Sequence, residues 1–329
     1  MAEWLFDAGI GESRAALIEG GRLVEMAVEW DDDGLRAGAV LPARLVRKAD
    51  ASGRGLAETA DGQTVQLTPV PAGLTEGRTL LIEITRAAQP EDGAFKPPRA
   101  RPALADSVET PGPDLRARLA ALGLPIRTGT DGFAAAGWDE AVEEAARGIV
   151  ARPDALLRIV PTPAMTLIDV DGAGAAADLA LAGARLAGRT IRLYDLAGSI
   201  GIDLPTMTGK ADRQAAATAL DAVLPPPFER TAVNGFGFLQ IVRRRVRPSL
   251  IDRLTADPVG AAARVLLRRA ARASGHGALT LSAAPGVIAR LAARPDWLDQ
   301  LARQAGAMPA LREEAGLAIS AAHAFRAFP

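Results

Sequence analysis

The alternation of apolar and polar positions divides the chain into distinct textures. From residue 3 to 29 short apolar runs follow one another, and Gly20-Gly21 stands between two of them. A glycine pair accepts the positive φ angles of a tight two-residue turn, so a β-hairpin is expected there. Residues 38–86 continue in the same style, with Asp61-Gly62 as a second hairpin signal. Several strands in so short a stretch fit a small β-barrel of OB type. Residues 87–113 then hold six prolines and no sustained periodicity, which predicts an extended connection.

Beyond that connection the period becomes helical. A short helix is expected over 114–122, closed by Gly123, and a second over 139–150, where Ala141, Val142, Ala145, Ala146 and Ile149 recur at helical spacing. An alternating α/β pattern follows: strand 165–170, helix 175–187, strand 199–204, helix 211–223 and a strand-like run 231–243. The last third reads as helix 259–273, strand 279–282 and helix 287–293, and no tandem repeat is present. The fold class expected is α/β, in fuller terms an α+β multidomain chain.

Composition narrows the function classes. With 49% hydrophobic residues over 329 positions there is apolar material for a core and length for two or three domains. No run approaches the roughly 20 apolar residues that span a bilayer, and Met1-Ala2-Glu3-Trp4 is acidic and lacks a signal core. A soluble, cytoplasmic protein with no membrane partner is therefore expected. The absence of cysteine removes disulfides, thiolate zinc and a cysteine nucleophile, and with only two histidines (His276, His323) no zinc is expected. Aromatics at 4% argue against a protein that binds single strands by base stacking alone.

The net charge of −1 conceals a polarity along the chain. Residues 1–33 carry nine acids against two arginines, whereas residues 239–272 carry nine arginines against two aspartates. The second stretch is the one suited to phosphates. Within it Arg243, Arg245 and Arg247 alternate; on a single strand they would form a cationic row, the alternative being a solvated charged strand.

Candidate chemistry lies in the α/β region. In Thr166-Leu167-Ile168-Asp169-Val170-Asp171-Gly172 the two aspartates are two positions apart and project from one face of a strand. A second apolar strand, ending Ile202-Asp203, places another acid at its C-terminal end, where ligands gather in α/β sheets. Three carboxylates, Asp169, Asp171 and Asp203, could then meet around Mg2+, or Mn2+ in its place, a hard cation that takes oxygen ligands and retains waters. The plainer reading of such an aspartate is a turn former or helix cap. No GxxxxGK[ST] loop or helix-opening GxGxxG supports a nucleotide enzyme.

The ordered blocks PAMTLIDVDGAG, IRLYDLAGSIGIDLPTM, ADRQAAATALDAVL and VNGFGFLQIVRRRVRPSL resemble the catalytic region of the RNase E/G family across residues 163–250. The resemblance implies a DNase I-like metal-site subdomain over 161–250, with Asp169 and Asp203 as metal ligands and Asp171 where the family has Asn. It further implies a split RNase H-like subdomain over 1–37 and 114–160 and an OB-fold insert over 38–88. A proline-rich connection over 89–113 would replace the 5′-end sensor, and a small α/β subdomain would fill 251–329. By the same resemblance the chain would be a Mg2+-dependent endoribonuclease of single-stranded RNA, leaving 5′-phosphate and 3′-hydroxyl ends. RNA would run along Arg243, Arg245 and Arg247, with Arg44 and Lys48 as further contacts on the barrel. The family's zinc-link motif is absent after Pro248-Ser249-Leu250, so any homodimer would form without zinc. The alternative reading is an RNA-binding or regulatory protein of the same fold with weakened cleavage.

Overall fold

Strands β1 (Ala2–Ala8), β2 (Glu12–Glu19) and β3 (Arg22–Trp30) form an antiparallel meander in the computed structural model, which describes residues 2–48, 50–91 and 94–328. The expected hairpin is present: Gly20 and Gly21 have φ of 57° and 78°, both in the region that a side chain would disfavour.

The next strands, β4 (Val40–Arg47), β5 (Gly55–Thr59), β6 (Thr64–Leu67) and β7 (Thr79–Arg86), belong to a closed five-stranded barrel. Alternating residues such as Leu45, Ala57, Val65, Leu67, Ile82 and Ile84 fill its interior. The connection expected over 89–113 is more structured than its prolines suggest. It holds the hairpin β8 (Gln89–Glu91) and β9 (Ala94–Lys96), and then β10 (Arg99–Pro102), which closes the barrel parallel to β6 and antiparallel to β7. β10 is too short to show a period: of its four residues only Ala100 is buried, and Pro98 and Pro102 flank it.

Helix α1 (Leu115–Ala120) begins where Asp114 accepts a hydrogen bond from the Ala117 amide, 2.8 Å. β11 (Ile126–Thr128) then returns parallel to β1 and completes a sheet of order β11-β1-β2-β3. Helix α2 (Trp138–Arg147) stops earlier than the expected 150, because Gly148 takes the left-handed C-cap conformation. Ile149 and Val150 already belong to β12 (Ile149–Arg152).

β12, β13 (Ala155–Pro161), β14 (Thr166–Asp171), β15 (Gly198–Asp203), β16 (Glu229–Arg230) and β17 (Phe238–Arg243) make a six-stranded sheet of order β12-β13-β14-β15-β17-β16. The subdomain boundary expected at 160/161 falls inside this sheet, since β13 pairs with β14 from Leu156↔Asp171 to Pro161↔Thr166. The strand-like run 231–243 is strand only from Phe238 onward. Helices α3 (Ala176–Leu193) and α4 (Lys210–Asp221) follow β14 and β15. Ile168, Val170, Ile200, Ile202, Leu239 and Ile241 are all buried in one core with them.

The C-terminal region has α5 (Leu250–Ala256), α6 (Pro258–Ala270), β18 (His276–Ala283), α7 (Pro285–Ala292), α8 (Pro295–Ala305), β19 (Ala310–Glu313) and β20 (His323–Phe328). α5, α8, β19 and β20 were not expected; α5 is a two-turn helix held by a reciprocal Ser249–Asp252 capping box. Arg264 of α6, 1% exposed, stacks between the rings of Trp30 and Trp297 at 4.2 and 4.7 Å and bonds Asp31, Asp32 and the Gly11 carbonyl. It fastens this region to the first sheet. Among the described residues no helix is long and apolar enough to cross a membrane.

Candidate functional site

Alternation along β14 and β15 decides which residues face outward. Ile168 and Val170, like Ile200 and Ile202, point into the core beneath α3 and α4. Leu167, Asp169 and Asp171, with Ser199, Gly201 and Asp203, therefore lie on the open face. The two strands run parallel in a register that sets Asp169 directly opposite Asp203. Both carboxylates are exposed, and neither has a hydrogen bond or ion pair with any described residue. Like charges opposed across adjacent strands are unfavourable unless a cation sits between them.

Asp171 does not join this pair. It lies two residues further along β14, roughly 6.6 Å at the usual strand rise, and its Oδ2 accepts from Arg158 Nε on β13 at 3.2 Å. The expected meeting of three carboxylates is thus replaced by an aspartate pair beside an Arg158–Asp171 ion pair. Among the described residues no group of three or more His, Asp or Glu side chains is assembled for a metal ion.

One aromatic side chain, Phe238, borders the pair, and its place there was not legible in the sequence. Phe238 is the register neighbour of Asp203 on β17, and a Cβ on Gly201 would come within 2.6 Å of its ring and 3.0 Å of the Met165 sulfur. Glycine at 201 is what lets Phe238 and Met165 close over β15. Asn234 shapes the preceding turn by accepting from the Phe236 and Phe238 amides at 2.9 and 3.0 Å, which leaves Phe236 82% exposed. The Asn234-Gly235 dipeptide is the sequence signal for that turn.

The cationic row is not formed. Only Arg243 lies on β17, and it has the parity of the buried Ile241, so it faces away from Asp203's side of the sheet. Its Nη1 donates to the Leu196 carbonyl at 2.6 Å. Beyond β17 the chain turns to cap α5, and carboxylates engage the other two arginines of the expected row: Arg245 lies 2.8 Å from Asp252 of α5 and Arg247 3.1 Å from Asp195, which precedes β15. On the barrel, Arg44 donates to Glu58 at 2.6 Å, and Lys48 is exposed just past the end of β4. A pocket of about 280 Å³, lined among others by Phe95, Met165, Thr166, Ser199 and Arg245, opens at the other end of β14 and includes neither Asp169 nor Asp203.

No model of a known protein family matches the chain, and no curated protein matches its sequence.

Proposed function

We propose that the chain is a Mg2+-dependent endoribonuclease acting on single-stranded RNA, and the observation that carries this reading is the in-register, unpartnered Asp169–Asp203 pair. The donor set fits a hard divalent cation, because both side chains offer only oxygen and their exposure leaves room for water ligands. A Mg2+ held by Asp169 and Asp203 would supply Lewis acidity towards a phosphodiester at neutral pH.

Arg158 stands in register with Asp169 on the same open face. Its guanidinium N–H groups beyond the Nε used by Asp171 can hold a non-bridging phosphate oxygen. Phe238, the register neighbour of Asp203, offers an apolar ring beside the aspartates against which a base can rest.

The barrel order, with β10 between β6 and β7 and parallel to β6, supports an OB-type reading of this unit and with it single-strand binding. Three antiparallel strands with a fourth parallel to the first support an RNase H-like reading of the first sheet. Acids at strand ends of the six-stranded sheet, with α3 and α4 on its other face, support a DNase I-like reading. In this reading the protein works in the cytoplasm.

The test is incubation of 5′-labelled single-stranded RNA with the full chain in Mg2+ or EDTA, beside Asp203→Asn. Cleavage that needs Mg2+ and is abolished by Asp203→Asn, with RNA binding retained, is the expected result. Cleavage indifferent to both would sink the proposal. The tie between Arg158 and Asp171 favours a second reading, an RNA-binding protein with weakened cleavage, and intact but gel-shifted RNA would select it.

A further inference from the structure

Where α1, the loop after β3 and the segment after β17 meet, a cavity of about 90 Å³ is lined by Arg36, Arg118, Arg247 and Arg253, with Glu29 and Asp33 as its carboxylates. None of these arginines belongs to the Asp169–Asp203 site. Four positive charges face two negative ones across a space of a few water volumes.

The two carboxylates are fully engaged. Glu29, with 10% of its side chain exposed, accepts from Arg36 Nε at 3.0 Å and from Arg118 Nη1 at 2.5 Å. Asp33 takes Arg253 Nη1, whose side chain is 6% exposed. Arg247 pairs through Nη2 with Asp195 at 3.1 Å, and Asp195 lies outside the cavity lining.

A guanidinium carries five N–H donors, so much donor capacity remains. Nε and Nη2 of both Arg118 and Arg253, and Nε and Nη1 of Arg247, have no hydrogen-bond acceptor among the described residues. Burial, together with the nearby charges of Arg247 and Arg253, holds Arg118 below the usual guanidinium value, against the opposing pull of Glu29. Crowded guanidinium groups with spare, partly desolvated donors suit a ligand that brings negative charge and several acceptor oxygens. The first sheet, α1, α5 and Ala87 just past the end of β7 border the cavity, so such a ligand would also tie these elements together.

We propose that this cavity binds a single phosphate group, either inorganic phosphate or the phosphate of a small phosphorylated molecule, held by Arg118, Arg247 and Arg253. The site is independent of the aspartate pair and of RNA cleavage.

Isothermal titration calorimetry of the full chain in a chloride buffer of constant ionic strength tests this, with inorganic phosphate, adenosine 5′-monophosphate and adenosine as titrants. Saturable one-to-one binding of both phosphate compounds and none of adenosine is expected; affinity for the nucleotide well above that for phosphate would assign the ligand to the phosphorylated molecule, equal affinity to free phosphate. Arg118→Gln and, should that variant not fold, Arg247→Gln at the cavity rim should weaken binding at least about tenfold, a single charge-assisted hydrogen bond's worth, while Arg312→Gln on the far C-terminal strand should leave it unchanged. Absence of a phosphate response, binding of adenosine equal to that of the nucleotide, or wild-type affinity in a folded Arg247→Gln variant would overturn the proposal.

Discussion

Val170 on β14 fills the space that a β-carbon on Gly183 of α3 would need, so the valine side chain packs directly on the helix backbone. Val170 is the neighbour of Asp169, and this contact fixes the height of the aspartate strand against its helix. Gly183→Ala should cost about 1–3 kcal/mol through overpacking. Adding Val170→Ala should return part of that loss. Urea unfolding of the two single variants and the double variant measures the coupling; strictly additive effects would show that the two positions do not press on each other.

Asp169 and Asp203, opposed with no ion pair to either because Arg158 is taken by Asp171, should repel each other in metal-free buffer. Asp203→Asn is then expected to be as stable as the parent or more so, by at most about 0.2–1 kcal/mol and less as salt rises. Mg2+ should raise the Tm of the parent and leave that of Asp203→Asn unmoved. Thermal scans with Mg2+, Ca2+ and EDTA check this, and equal Mg2+ responses in both proteins would remove the pair as a metal site.

Tyr194 is the chain's single tyrosine, fully buried, with its hydroxyl donating to the Ala141 carbonyl at 3.0 Å. Burial first, and then the negative charge of Glu144, push its phenol well above the ordinary value. Because the folded state holds this proton more tightly than the unfolded chain, its contribution is fully present below the ordinary phenol pKa of about 10 and is lost as pH rises above it. The tyrosinate absorbance in the near ultraviolet should therefore appear late and together with unfolding. A simple titration near pH 10 in the folded protein would contradict the burial.

Arg264 should be intolerant of change, since its guanidinium lies between two indoles and bonds Asp31, Asp32 and Gly11. Arg264→Ala should destabilise by about 3 kcal/mol, the scale of breaking a buried charge pair. Arg264→Lys should rescue little, because an ammonium cannot stack flat between rings. Denaturant unfolding followed by tryptophan fluorescence reads both effects, as Trp30 and Trp297 report directly.

Much of this molecule follows from the order of its residues alone, because the interactions responsible are local. Gly20-Gly21 makes its turn by backbone freedom, Asp114 caps α1 through its own side chain, and Ile168-Asp169-Val170-Asp171 alternates as any half-buried strand must. Tertiary structure alone decided what depends on distant partners: that β10 closes the barrel, that β14 meets β15 in the register pairing Asp169 with Asp203, and that Asp171 is drawn to Arg158. It also turned Arg243, Arg245 and Arg247 towards Leu196, Asp252 and Asp195 instead of aligning them in a row. Strand register and ion-pair partners are chosen by the burial and charge of residues far apart in sequence, and a local pattern carries no record of that choice.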